Sequence, residues 1–134
     1  MKTKGLWYFA HPYTCKDKDG NYVLEGEEAN FRLCCWRSAQ ALLRGYNVYS
    51  PIAHTHPIHT ASPELLTIKE HDVWYALDNE FVMKTDFEGI ILPPGWDNSK
   101  GCIAEAKLMR ELGREVIYFE DIMKEPIVLE SACG

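Results

Sequence analysis

Short apolar runs alternate with longer amphipathic segments along the chain. Four runs rich in aromatic and β-branched residues are typical of buried strands: residues 6–10, 47–50, 87–92 and 115–119. Three segments repeat apolar residues at helical spacing: residues 27–44, 67–84 and 99–112. This alternation predicts a parallel sheet, because each right-handed crossover places a helix against it. We therefore predict one α/β domain over residues 1–134, a flavodoxin-like, doubly wound sheet in three α/β/α layers.

The segments between these elements are of two kinds. Residues 14–26 are polar, with a turn at Asp19-Gly20, and predict a long loop. Residues 51–63 contain three prolines and three histidines, and we expect them to be irregular. In the first helix, the apolar residues Ala29, Leu33, Trp36 and Leu43 recur near helical spacing.

Composition narrows the possible classes of function. The net charge of −6 argues against a protein that binds nucleic-acid polymers through a basic surface. The five cysteines form neither a disulfide framework nor a zinc-ligand spacing, which favours a reducing, cytoplasmic location. No signal peptide or membrane span is expected from the N-terminal residues. A small ligand at a local site is the remaining expectation.

Two acidic residues lie where helix periodicity predicts burial. Glu105 shares a helical face with Cys102 and Met109, and Asp78 lies between Trp74 and Val82. A single buried carboxylate is most often paired with a base. Two on separate helices indicate glycosyl transfer, in which one carboxylate is the nucleophile and the other protonates the leaving group.

Three motifs carry a resemblance to a known superfamily. Tyr8-Phe9-Ala10, Asp78 placed eight residues before Asp86, and Ser99-x-Gly101-x-x-x-Glu105 resemble the nucleoside 2-deoxyribosyltransferases from Tyr8 to about Phe119. The resemblance implies that Glu105 attacks the anomeric carbon, Asp78 assists departure of the base, and Tyr8 orients Glu105. It also implies a homo-oligomer, whose contacts could involve residues 128–134, and no cofactor.

Ser99 departs from the classical pattern of the superfamily. It stands where the classical transferases have an acidic residue that receives the sugar 5′-hydroxyl. A serine at a helix N-terminus suits a phosphate better, as in the related 5′-monophosphate N-glycosidases. Asp97 nearby argues for the nucleoside, so both substrate classes stay open. Lys100 and His11 are further candidates for contact with a phosphate.

The ends of the strands supply the other candidate substrate contacts, since ligands of such sheets bind beyond the carboxyl ends of the strands. They are His11, Pro12, Tyr13, His54, His56, Trp96, Asp97, Ser99 and Gly101. Tyr13 and Trp96 could stack on a base or belong to the core. The histidines of residues 54–59 are a weak metal motif without a thiolate or H-E-x-x-H partner, and no metal is predicted.

The sequence thus predicts an enzyme that cleaves the N-glycosidic bond of a nucleoside or its 5′-monophosphate through a glycosyl-Glu105 intermediate. Water or a second base would accept the sugar. The alternatives are a nucleotide-sensing module on the same fold, which binds without turnover, and a metal-dependent hydrolase that uses the histidines.

Overall fold

A computed structural model describes residues 3–68 and 72–130 of the chain. Its strands are β1 (Leu6–Phe9), β2 (Asn47–Tyr49), β3 (Gly89–Leu92) and β4 (Glu115–Tyr118). Its helices are α1 (Leu24–Leu43), α2 (Pro51–Thr60), α3 (Pro63–Leu66), α4 (Asp72–Lys84), α5 (Lys100–Glu111) and α6 (Phe119–Ile122), with a 3₁₀ turn at Trp96–Asn98.

The four strands form one parallel sheet in the order β2-β1-β3-β4. Apolar clusters cover both faces of this sheet. One cluster contains Tyr8, Ile90 and Met109, and the other contains Phe9 and Ile91. Alternate residues of the same strands therefore enter opposite layers. The predicted three-layer α/β architecture is confirmed.

Helix α2 corrects the expectation that residues 51–63 are irregular. Ser50 caps the helix by accepting a hydrogen bond from the Ala53 N–H, and Pro51 occupies the first helical position. Proline is favoured there because its missing N–H would have no partner within the helix. Pro63 begins α3 in the same way, and only Pro57 lies inside a helix. Two of the three prolines therefore start helices instead of breaking them.

The apolar residues that predict α1 do not form its buried face. Ala29 is exposed, as are Leu33 (41%) and Trp36 (53%), whereas the buried residues are Glu27, Cys34, Ser38 and Ala41. The helix packs through small residues, because it lies close to β2 and α2. The helix also begins three residues earlier than predicted, at Leu24.

The remaining predicted elements differ in extent. Of the segment predicted as one helix from residue 67, residues 67 and 68 follow the end of α3 and α4 covers Asp72–Lys84, with residues 69–71 outside the described part. Strand β3 begins at Gly89 instead of residue 87, and Phe119 starts α6 instead of ending β4. After α6, the N–H groups of Val128 and Leu129 bond the Leu43 carbonyl of the same chain.

Within the part of the chain that the structure describes, no helix has the length and apolarity needed to cross a bilayer. The four cysteines in this part, Cys15, Cys34, Cys35 and Cys102, are all free thiols. Cys34 is buried and contacts the Ser50 hydroxyl at 2.9 Å. Cys133 lies outside the described residues.

Candidate active site

A cavity of about 920 Å³ opens at the carboxyl edge of the sheet. Its walls come from the segments after β1, β2 and β3, together with α4 and the first turns of α1 and α5. This position follows from topology, because the chain leaves β1 and β3 in opposite directions and a crevice forms between them. Seven of the predicted site residues line it: His11, Pro12, Tyr13, Asp78, Ser99, Gly101 and Glu105.

Glu105 reaches this cavity from the second turn of α5. Ser99 accepts a hydrogen bond from the Cys102 N–H (3.3 Å) and caps the helix, which confirms its predicted capping role. Buried Cys102, Ala106 and Met109 hold the helix on the sheet. Glu105 therefore points along the cavity floor, where a Cβ added at Gly101 would lie 3.8 Å from its Oε1.

Three neighbouring polar side chains keep a buried atom without a formed hydrogen bond: Asp78 and Glu105 line the cavity, and fully buried Tyr8 lies near both of them, outside the lining. Among the described residues, the Tyr8 hydroxyl, Asp78 Oδ1 and Glu105 Oε2 are buried atoms that lack a hydrogen-bond partner, as is the Ser38 hydroxyl. The Tyr8 hydroxyl lies near the Glu105 carboxyl group, with geometry short of a formed hydrogen bond. Buried polar groups normally find partners, so three orphaned atoms at one cavity require an explanation.

Burial dominates the protonation of the two acids. It raises the pKa of Glu105 to about 8, with a smaller increase from the nearby charge of Asp78, while the Tyr8 hydroxyl acts in the opposite direction. Burial likewise raises the pKa of Asp78 to about 6. The pKa of Tyr8 is raised well above its usual value by burial and by both carboxylates, so it stays a neutral donor. The pair therefore holds a proton near neutral pH.

His11 lines the cavity as a neutral ring. Arg37 Nη1 donates to its Nε2 (2.9 Å), and its Nδ1–H donates to the Pro12 carbonyl (2.9 Å). Burial, with the charge of Arg37, lowers its pKa to about 4. His11 therefore supplies shape to the wall and no positive charge for a phosphate.

Four predicted contact residues do not line the cavity. His54 is exposed and bonds the Tyr49 hydroxyl (3.1 Å), and Asp97 is exposed in the 3₁₀ turn. Trp96 packs on the core near Tyr118. His56 is 3% exposed and lies behind the wall, between the Tyr13 hydroxyl and Glu28.

The separation of the histidines has a simple cause. Residues two apart on a helix point about 200° apart, so His54 and His56 face opposite sides of α2. Among the described residues, no group of three or more histidine, cysteine or acidic side chains is arranged to hold a metal ion.

Other wall residues were not among the predicted contacts. Glu27 is 6% exposed and lines the cavity from the first turn of α1, and Trp74 and His59 line it from α4 and α2. Glu27 lies on the same helical face as Cys34, Ser38 and Ala41. In the sequence, this stripe of polar and small residues is the one feature that could have indicated the buried face of α1 and, with it, Glu27. The more prominent apolar residues on the neighbouring face drew attention away from it.

Comparison with protein families adds one match. Residues 5–121 match the model of a family described as a domain of unknown function, DUF1937. Curated proteins yielded no match to the chain.

Proposed function

The chain belongs to the DUF1937 family, and we propose from its site that it cleaves the N-glycosidic bond of a (2′-deoxy)nucleoside or its 5′-monophosphate. Glu105 is the proposed nucleophile, Asp78 the general acid, and Tyr8 the residue that orients Glu105. The resemblance of the Tyr8, Asp78 and Ser99-to-Glu105 motifs to the nucleoside 2-deoxyribosyltransferases supports the same roles.

A cluster of three orphaned polar atoms, two of them on residues that line the cavity, carries this proposal. Tyr8, Asp78 and Glu105 come from β1, α4 and α5, and all three keep a buried polar atom without a partner. Leaving such groups unpaired costs roughly 1–3 kcal/mol each. A fold tolerates that cost at a site where substrate atoms complete the interactions.

The proposed reaction runs in two steps. A Glu105 oxygen forms a bond to the anomeric carbon while the bond from that carbon to the base nitrogen breaks. The electron pair leaves with the base, and the Asp78 proton neutralises it. Water or a second base then attacks the anomeric carbon, returns a proton to Asp78, and releases the Glu105 carboxylate.

The free site holds the number of protons that this chemistry requires, but the proton must move from Glu105 to Asp78. The carboxyl pair holds one proton near neutral pH, as a nucleophile and an acid together require. Burial favours that proton on Glu105, whereas attack requires it on Asp78. The Tyr8 hydroxyl favours ionised Glu105, and the cationic sugar carbon in the transition state favours it further.

The substrate class depends on the wall at α5. Ser99, Lys100 and Gly101 line the cavity at the start of this helix, where backbone N–H groups and a lysine suit a 5′-phosphate. Exposed Asp97 lies outside the lining, which removes the acidic group that favoured a 5′-hydroxyl. These observations support the 5′-monophosphate as the preferred substrate within the proposed class.

Three further expectations belong to the same proposal. The mechanism uses no cofactor, since every proposed step involves protein side chains, substrate and water. We propose a cytoplasmic homo-oligomer, and exposed Leu33 and Trp36 on α1 offer apolar surface for a subunit contact. Light scattering of the purified chain tests the oligomer.

Base release from a substrate panel tests the proposal. The protein is incubated with each deoxynucleoside and each 5′-monophosphate, with and without a free acceptor base, and products are separated by chromatography. We expect base release that Glu105→Gln abolishes and Glu111→Gln leaves intact, since Glu111 is an exposed carboxylate of the same helix. Binding without turnover by the natural sequence would instead support the sensing module.

A further inference from the structure

Side chains of α1 bond the part of the cavity wall that follows β1. Residues 11–13 (the wall segment) line the cavity just beyond the end of that strand. Asn30 Nδ2 donates to the Tyr13 carbonyl (2.9 Å). Two helical turns later, Arg37 Nη1 donates to His11 Nε2 (2.9 Å). Both ends of the wall segment are therefore fixed to the same helix.

Packing of aromatic rings places Arg37 for this bond. Its guanidinium carbon lies 5.8 Å from the centroid of the Phe119 ring of α6, within the range of a cation–π contact. Phe119 contacts Phe9 of β1 edge-on (5.9 Å), and the His11 ring stacks on Phe9 (6.2 Å). Because a side chain that packing has already ordered has less freedom left to lose, the bond from Arg37 to His11 costs little entropy.

His11 connects Arg37 to the backbone of the wall segment. A neutral imidazole has one donor and one acceptor nitrogen, and a guanidinium group only donates, so Nε2 is the unprotonated nitrogen. The Nδ1–H then donates to the Pro12 carbonyl (2.9 Å). Burial, together with the charge of Arg37, lowers the pKa of His11 to about 4. The bond from Arg37 thus fixes the tautomer and orientation of the ring, and this part of the wall carries no charge.

We propose that Arg37 and Asn30 are positioning residues that hold the wall segment in the form that binds the nucleoside part of the substrate. The inference rests on the proposed function and deepens it. It assigns the uncharged rings of the wall segment to the base and sugar, whereas the phosphate belongs at the start of α5, where Lys100 lines the cavity. Because a segment ordered in advance avoids an entropic cost on binding, removal of either bond should weaken binding.

Binding measurements in the Glu105→Gln background test the inference apart from turnover. Calorimetry uses the deoxynucleosides and their 5′-monophosphates as ligands. We expect Arg37→Met and Asn30→Ala each to raise Kd about tenfold for both ligand classes, as when the wall segment is correctly ordered in only about one-tenth of the molecules. Unchanged Kd values, a loss confined to the monophosphates, or no binding by the Glu105→Gln parent would overturn the inference.

A conservative and a distant substitution are the controls. Arg37→Lys keeps a cationic donor, and because Arg37 uses one N–H toward His11, this variant should bring Kd back to within about threefold of the parent. Arg110→Met removes an exposed arginine of α5 outside the cavity lining and should leave Kd unchanged. Equal losses of affinity in Arg37→Lys and Arg37→Met would contradict the role of Arg37 as a donor.

The titration of His11, followed by NMR, separates positioning from a general role in stability. Arg37 on α1 is the charged group that acts on this ring, and Glu120 on α6 acts on Arg37. In Arg37→Met the pKa of His11 should rise from about 4 toward its ordinary value of 6.5, because the positive charge and the donor to Nε2 are both absent. Asn30→Ala should leave the pKa of His11 near 4. An unchanged titration in Arg37→Met would overturn the positioning role of Arg37.

Thermal melting confirms that each variant is folded before binding is compared, and Asn30→Ala tests the wall segment even where Arg37→Met does not fold. A protein that binds nucleosides through an ordered wall segment but releases no base would support this inference and contradict the proposed function. Base release that neither substitution affects would do the opposite, so the two failures are distinguishable.

Discussion

The hydroxyl of Tyr8 lies near the carboxyl group of Glu105 and lowers its pKa against the larger opposite effect of burial. Tyr8 belongs to β1 and is fully buried, so its hydroxyl can reach only the underside of the cavity. Tyr8 can therefore act on the carboxyl group of Glu105, although Tyr8 itself does not line the cavity.

Removing this hydroxyl should move the pH profile in a defined direction. Without Tyr8 as a donor, the pKa of Glu105 rises further, so its ionisation occurs at higher pH. For Tyr8→Phe we expect the limb of kcat/KM near pH 8, which reflects the pKa of Glu105, to move upward and kcat to fall by about 10–100-fold, the loss of one oriented hydrogen bond in a transition state. Tyr46→Phe, which removes a hydroxyl bonded to Glu125 outside the cavity, should change neither quantity.

The carboxyl pair predicts a bell-shaped pH dependence. The proposed reaction requires one proton on the pair, so kcat/KM should rise with pH near 6, decline near 8, and peak at about 7. In Asp78→Asn the alkaline limb should disappear, because no acid remains to lose its proton. The remaining limb should then follow Glu105 alone, whose pKa is still raised by burial but no longer by the charge of Asp78.

The rate should fall in the same variant by about 10²–10⁴-fold, as is usual when a general acid is lost. Asp86→Asn is the control, because Asp86 is exposed at the surface and lies outside the cavity lining. A pH profile in Asp78→Asn that keeps both limbs would assign the acid to another residue.

Glu105 should also reduce stability at alkaline pH. Its pKa in the folded chain, about 8, lies above the ordinary value of 4.5, so the folded state binds the proton more tightly. Stability is therefore lost as pH rises from 4.5 to 8. Glu105→Gln removes that dependence and should raise Tm at pH 8 by about 3–8 °C, for a gain of about 1–2 kcal/mol.

Thermal melts at pH 4.5 and pH 8 provide the check. The difference between Glu105→Gln and the natural sequence should be small at pH 4.5, where both carry a neutral side chain. An equal gain at both pH values would indicate relief of steric strain and contradict the buried-charge explanation.

The substitution Gly101→Ala should raise stability and lower activity. A methyl group there would make ordinary van der Waals contacts, 3.8 Å from Glu105 Oε1 and 3.9 Å from the Ser99 hydroxyl. Gly101→Ala should stabilise α5 by about 0.5–1 kcal/mol, because alanine restricts the unfolded chain. The same methyl group occupies cavity space beside Glu105, the proposed nucleophile, so we expect kcat/KM to fall about 10–100-fold. Reduced Tm with unchanged activity would contradict this placement.

Features that depend on local sequence patterns could be predicted, whereas features that depend on packing between elements could not. Helix α5 followed from its cap at Ser99 and its apolar period, and both carboxylates were expected on buried faces for the same reason. Helix α2 was missed because proline count was treated as irregularity, although Pro51 and Pro63 occupy first helical positions.

The buried face of α1 shows the limit of apolar periodicity. Its close approach to β2 and α2 selects small residues such as Ser38 and Ala41, and leaves Trp36 exposed. Contacts of this kind depend on the distance between two elements. That distance cannot be predicted from the sequence of either element alone. His56 and His54 were predicted as substrate contacts from loop position, and the helix turned both away from the cavity.

Ser99 distinguishes the two substrate classes. Ser99→Ala removes the cap of α5 and should cost about 1 kcal/mol of stability. If Ser99 also binds a 5′-phosphate, KM for monophosphates should rise about tenfold while KM for nucleosides stays within about twofold, a difference of about 1.4 kcal/mol. Ser62→Ala, which removes the cap of α3, controls for the loss of a cap alone. Parallel changes in both KM values would exclude a phosphate contact at Ser99.

The covalent intermediate is the most direct test of the central claim. Acid quenching during turnover, followed by proteolysis and mass spectrometry, should find one sugar group esterified to the peptide that contains Glu105. The adduct should disappear in Glu105→Gln and accumulate when the acceptor is withheld. Base release without any adduct on Glu105, or an adduct on another residue, would contradict the account.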